Sequence, residues 1–97
     1  MMSNQFGTKI RQLRENQNLL LRQVAPLLNI DSPQLSKIER GERQAKKELI
    51  PLFADVFKIN KDELQTLWLA DQLFDVIQGD PMGNQALKSV SKKIKDN

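Results

Sequence analysis

Residues 20–41 read LLRQVAPLLNIDSPQLSKIERG, and their pattern decides the fold. Two short helices are expected here, joined by Asn29-Ile30-Asp31. The second has the clearest start. Asp31 is a good N-cap, and Gln34 stands three residues on, the spacing of a capping box. Pro33 then falls in the first turn, where its missing N–H breaks no helical bond. Leu35 and Ile38 supply the inward face, and Gly41 ends the helix as a left-handed cap would. The preceding helix, about residues 20–28, turns Val24, Ala25 and Leu28 inward. Its Pro26 removes a mid-helix hydrogen bond at a cost of up to roughly 3 kcal/mol, which predicts a kink or a ragged helix.

Working outward, the rest of the chain is also helical in pattern. Apolar residues recur at spacings of three and four, without strand-like alternation. A first helix is expected at about 4–16, with Phe6, Ile10 and Leu13 on one face, and the run Glu15–Asn18 breaks it. A fourth is expected at about 46–57, turning Leu49, Leu52, Phe53, Val56 and Phe57 inward, with Pro51 near enough its start to be tolerated. Asn60 and Glu63 form a second capping-box signature, opening a helix over about 61–78 with Leu64, Leu67, Trp68, Leu73, Phe74 and Ile77. Gly79 closes it. Asp80-Pro81 reads as cap and first residue of a sixth helix, about 81–94, with Ala86, Leu87, Val90 and Ile94 apolar. The 97 residues suffice for one hydrophobic core. The expected organisation is a single domain over 1–97, with a core at 4–60 and a helical extension at 61–97.

Composition excludes several chemistries. The chain has no Cys and no His. The usual zinc, haem and iron–sulfur ligands are therefore missing, as are Ser-His-Asp and Cys-His catalysis. No glycine-rich phosphate loop is present. No enzyme activity, cofactor, metal or small-molecule ligand is expected. No apolar run approaches 18 residues, and the N-terminus lacks the layout of a signal peptide, so the default expectation is a cytoplasmic protein without a membrane partner. Charge is unevenly spread. Residues 1–59 hold ten Lys/Arg against six Asp/Glu, residues 60–80 one against five, and residues 81–97 four against one. A basic N-terminal region suits a polyanion.

Two short helices with a three-residue connection have the spacing of a helix-turn-helix. With Val24-Ala25, Ile30 and above all Leu35–Gly41 within LSKIERGER, the chain resembles the XRE (phage repressor/Cro-like) family over about residues 6–65. The resemblance implies an all-α fold, a five-helix repressor-like domain with a C-terminal helical extension. It also implies a transcriptional regulator that binds double-stranded DNA as a homodimer, reading a palindromic operator through the major groove. Base reading then falls on Ser32, Pro33 and Lys37, with Gln34 further round. Ser36, Arg40, Arg43 and Gln44 become phosphate contacts, with Leu21 through its backbone, and with Lys46 and Lys47 at the next helix N-terminus. Arg14 and Glu39 match positions that form a buried or half-buried ion pair in that family, so Glu39 takes a structural role. One departure stands out: Leu20 and Leu21 occupy positions where the family usually has Ser or Thr followed by Gln, so the side-chain grip on a phosphate is lost.

Helix five carries more large apolar residues than one side of a five-helix core needs. Leu67, Trp68, Leu73, Phe74, Ile77, Leu87 and Val90 are the candidates for a dimer surface. Cover by helix six within one chain and contact between two chains are both open at this point. So is a second function, a protein-interaction module such as an antitoxin or adaptor that works through the C-terminal helices. The resemblance extends to controller proteins of restriction–modification genes, phage repressors and antitoxins, which the sequence does not separate.

Overall fold

A computed structural model describes residues 3–96. It contains helices α1 (Gln5–Asn16), α2 (Leu21–Val24), α3 (Ser32–Glu39), α4 (Leu49–Phe57), α5 (Lys61–Ile77) and α6 (Gly83–Lys95), and no strand among the described residues. The fold is all-α. None of its helices is long and apolar enough to cross a membrane.

Proline decides where several of these helices start and stop. Pro26 cannot supply the N–H that would continue α2, and the chain tightens into a 3-10 turn over Ala25–Leu28. Asn29 then takes a left-handed conformation (φ 57°), and its N–H and that of Ile30 bond back to the carbonyls of Pro26 and Ala25. Pro51 sets the start of α4. The expected start at Lys46 would have placed Pro51 in the helix interior, where it breaks a ladder bond. The helix instead begins at Leu49, which puts Pro51 in the first turn, and Lys46 and Lys47 lie in the preceding loop. The sixth helix likewise starts later than Pro81. Asp80 caps a turn rather than the helix, its Oδ1 accepting from the Met82 N–H at 2.8 Å, and α6 proper begins at Gly83.

The core gathers Phe6 and Ile10 of α1, Val24, Ala25 and Leu28, Leu35 and Ile38 of α3, and Leu49, Ile50, Phe53, Ala54 and Phe57 of α4. Phe53 meets the Phe6 ring edge-on at 5.6 Å and lies nearly parallel to Phe57 at 6.3 Å, both within the range of favourable aromatic pairs. Leu64 of α5 is fully buried in the same cluster, and Leu67 and Trp68 pack against it. The packing therefore does not change at residue 60, where the sequence suggested that a core ends and an extension begins. It changes along α5: the helix begins as part of the core and beyond Trp68 presents Leu69, Leu73, Phe74 and Val76 to solvent. Gly83 seats α6 against the end of α5, where a Cβ would press on the Ile77 carbonyl oxygen at 2.8 Å.

Candidate nucleic-acid interface

Helix α3 is built so that its two sides have separate tasks. The Asp31 Oδ1 accepts from the Gln34 N–H at 2.8 Å, which satisfies one of the unpaired donors of the first turn. Leu35, Ile38 and Glu39 are buried. Pro33 and Lys37 are exposed, while Ser32, Gln34 and Ser36 are half-buried beside them. At the far end Gly41 takes φ 75°, a conformation that strains any L side chain, and the chain turns away. The N–H groups of Gly41 and Glu42 bond to the carbonyls of Ile38 and Lys37, closing the helix end.

The turn leads into an exposed basic loop. Arg43, Gln44, Lys46 and Lys47 are all solvent-facing, and Ala45 between them is buried. The Trp68 indole N–H donates to the Ala45 carbonyl at 2.7 Å, so α5 holds the middle of the loop while both flanks stay free. Arg40 is less free than the sequence implied. Its Nη2 lies 2.9 Å from a Glu42 carboxylate oxygen and its Nε bonds to the Ser36 carbonyl. An exposed pair of this kind holds about 0–1 kcal/mol, so it ties Arg40 down only weakly.

The buried side of α3 is anchored by an ion pair. Arg14 Nε and Nη2 donate to the two Glu39 carboxylate oxygens at 2.7 and 3.0 Å, and Nη1 donates to the Leu19 carbonyl at 2.9 Å. The pair joins α1 to α3 and to the loop ahead of α2. Glu39 holds the Arg14 guanidinium above its ordinary pKa, chiefly through the hydrogen bond, against the pull of burial. Glu39 thus spends its charge inside the protein and does not face the outer surface.

Helix α2 departs from the sequence reading in one useful way. Leu20 has no polar side chain, but Gln23 at the third helical position bonds back, its Oε1 accepting from the Leu20 N–H at 2.7 Å. This is half of a capping box, legible from Gln23 alone. Leu21 turns its side chain onto the core. The expected box at Asn60 is also half formed: Asn60 accepts from Asp62 N, while Glu63 pairs with Lys9 at 3.6 Å. Among the dimer candidates, Leu67 and Trp68 are half-buried and pack against the core. Ile77 is half-buried, and Leu73, Phe74, Leu87 and Val90 are exposed.

Sequence reasoning missed a cluster at the start of α1. Asp71 of α5 accepts from Ser3 Oγ (2.6 Å), Gln5 N and Phe6 N (both 2.9 Å), and Asp75 accepts from Ser3 N. Asn4, the N-cap residue by position, does not cap α1; its Nδ2 donates to the Glu39 carbonyl at 3.0 Å. The partners of Asp71 lie more than sixty residues away, and no local pattern signals them.

Two short helices joined through Asn29–Asp31, the second exposed along one side and followed by a basic loop, constitute a helix-turn-helix. A search of curated proteins returned no match. The model of a helix-turn-helix domain family matches residues 5–67, which run from α1 through the core-facing start of α5. The chain belongs to that helix-turn-helix domain family.

Proposed function

We propose that the chain is a sequence-specific transcription regulator of the XRE/Cro type, acting without enzymatic activity in the cytoplasm as a homodimer on a palindromic operator. The observation that carries this reading is the division of α3. Leu35, Ile38 and Glu39 fix the helix to the core, while Pro33 and Lys37 stand clear with Ser32 and Gln34 at their side. An α-helix presented this way enters a major groove with its N-terminal residues at the base edges. Lys37 donates to guanine O6 or N7, Ser32 and Gln34 offer polar contacts, and Pro33 offers apolar contact to a thymine methyl. Ser36, Arg40, Arg43, Gln44, Lys46, Lys47 and the Leu21 backbone serve the phosphates, which position the domain without reading sequence.

The dimer rests on α5 and α6. Leu87, Val90 and Ile94 recur on one face of α6, and their exposure rises from 44% to 67% as the helix runs away from Gly83. The radius of gyration is 15.2 Å, against about 12.5 Å for a compact domain of this length. Helix α6 is thus an arm with an uncovered apolar face. Leu69, Leu73, Phe74, Val76 and Met82 add further large apolar side chains exposed on α5 and the turn before α6. The same face supports a second reading, an antitoxin or adaptor that binds a different protein.

Selection from random duplexes with purified protein tests the first reading. The expected result is an enriched palindrome with half-sites about 34 Å apart. Enrichment of nothing, together with a monomer by light scattering that forms a stoichiometric complex with another protein, would favour the second.

A further inference from the structure

The N-terminal cluster links two parts of the molecule that are otherwise far apart in role. On one side is α5, whose outer face is the proposed dimer surface. On the other is the end of α3, from which the basic loop departs. Between them lies a chain of polar contacts. Asp71 takes over the capping of α1 by accepting from Gln5 N and Phe6 N, and its Oδ1 also holds the Ser3 hydroxyl. That substitution of roles frees the Asn4 side chain. Asn4 turns the other way and donates to the Glu39 carbonyl, one of the unpaired acceptors at the C-terminal end of α3.

The contact is fitted as well as bonded. A Cβ at Gly41 would stand 2.7 Å from Asn4 Cγ, and one at Gly7 would collide with the Ile38 carbonyl oxygen. Glycine at both positions lets α1 and its N-cap lie directly on the backbone of the α3 end. The buried Glu39 is therefore held twice, at its side chain by Arg14 and at its carbonyl by Asn4.

We infer that Asp71 and Asn4 are positioning residues for DNA recognition: Asp71 orients the Ser3–Phe6 segment so that Asn4 fixes the end of α3 and the departure of the Arg40–Lys47 loop. Neither residue touches the nucleic acid. The inference rests on the DNA-binding reading above. It goes beyond that reading in assigning α5 an inward-facing role in the reading head, apart from the apolar surface that it turns outward.

The test uses Asp71→Ala, Asn4→Ala, the double variant, and Val56→Ala as a control that loosens the core at a half-buried position outside the cluster. In the DNA-free protein, amide exchange is followed at Arg40, Gly41 and Glu42, whose N–H groups bond to Ser36, Ile38 and Lys37 carbonyls. Exchange at these amides is expected to accelerate at least tenfold in Asp71→Ala and Asn4→Ala, and not in Val56→Ala. On the selected operator, each single variant is expected to weaken binding at least fivefold. Affinity for a random duplex and the salt dependence should stay within twofold of wild type, since the phosphate-binding side chains remain. The double variant is expected to lose no more than the worse single one.

Unchanged exchange at the α3 end overturns the inference. So does operator binding within twofold of wild type in either single variant, or losses that multiply in the double. If the wild-type protein binds no duplex at all, the functional reading fails instead, and the exchange rates alone decide whether Asp71 acts on the end of α3.

Discussion

Arg14→Met removes the cation of the α1–α3 tie while keeping a long apolar stem in its place. The Glu39 side chain is 4% exposed and would lose two charge-assisted hydrogen bonds at once, and the Leu19 carbonyl would lose its donor. Removing one partner of a buried pair costs about 3–5 kcal/mol, because the other charge is left uncompensated. Arg14 itself is 13% exposed at the side chain, and Glu39 lines an open surface cleft with Asn4, Thr8 and Arg11. Water can therefore reach part of the site, which places the loss at the lower end, about 3 kcal/mol. For a domain of this size that is roughly 12–24 °C in Tm. Because the folded-state pKa of Arg14 is raised, its contribution is complete below the ordinary arginine range and is lost only at more alkaline pH. A measurement at pH 7 therefore reads all of it. Urea unfolding followed by circular dichroism at 222 nm gives the loss. The double variant Arg14→Met/Glu39→Leu should recover most of it, since apolar replacement of both partners is often neutral. A loss below 1 kcal/mol in the single variant, or a double variant as damaged as the two singles added together, would refute the view of a buried pair whose partners need each other.

Three further outcomes are expected. Lys37→Ala should cost about 1–3 kcal/mol of discrimination at one base pair and change stability by less than about 0.5 kcal/mol, as for an exposed residue outside the packing; unchanged site preference would move the reading face elsewhere. Arg43→Ala should weaken binding to all duplexes alike and lower the slope of log affinity against log salt by about 1; an unchanged slope would remove it from the phosphate contacts. Val90→Glu should convert the dimer to a monomer in light scattering with the helical spectrum intact, because Val90 is half-exposed in the single chain; a persisting dimer would put the interface on another face.

Legibility in the sequence followed the range of the signals. Everything that defines α3 lies within Asp31–Gly41: the cap, the first-turn proline, the apolar pair and the left-handed end. The position of α4 was harder, because no side chain caps it and Pro51 is compatible with a start only within a few residues. Helix α5 is apolar on more than one side, so its periodicity did not say that Leu67 and Trp68 turn inward while Leu73 and Phe74 turn out. Gln23 was a readable signal that the absence of Ser or Thr at position 20 obscured. The contacts of Asp71 with Ser3–Phe6 and of Trp68 with Ala45 were beyond reach, since they depend on how helices cross and not on any local spacing.

The exchange of caps at the start of α1 also bears on the order in which the chain is assembled. The turn closing α3 spans a few residues and forms as soon as those residues meet. The first turn of α1 has no such independence, because the carboxylate that satisfies its Gln5 and Phe6 N–H groups is supplied from position 71. During synthesis α1 is made before α5, and its first-turn donors are left to water until α5 has been made and docked. Such distant pairings form late, after the loop-closure entropy has been met. Asp71→Asn should accordingly speed unfolding and leave the refolding rate nearly unchanged, a φ-value near zero in stopped-flow kinetics. Slowed refolding would instead mean that the two ends of the domain meet before its middle is complete.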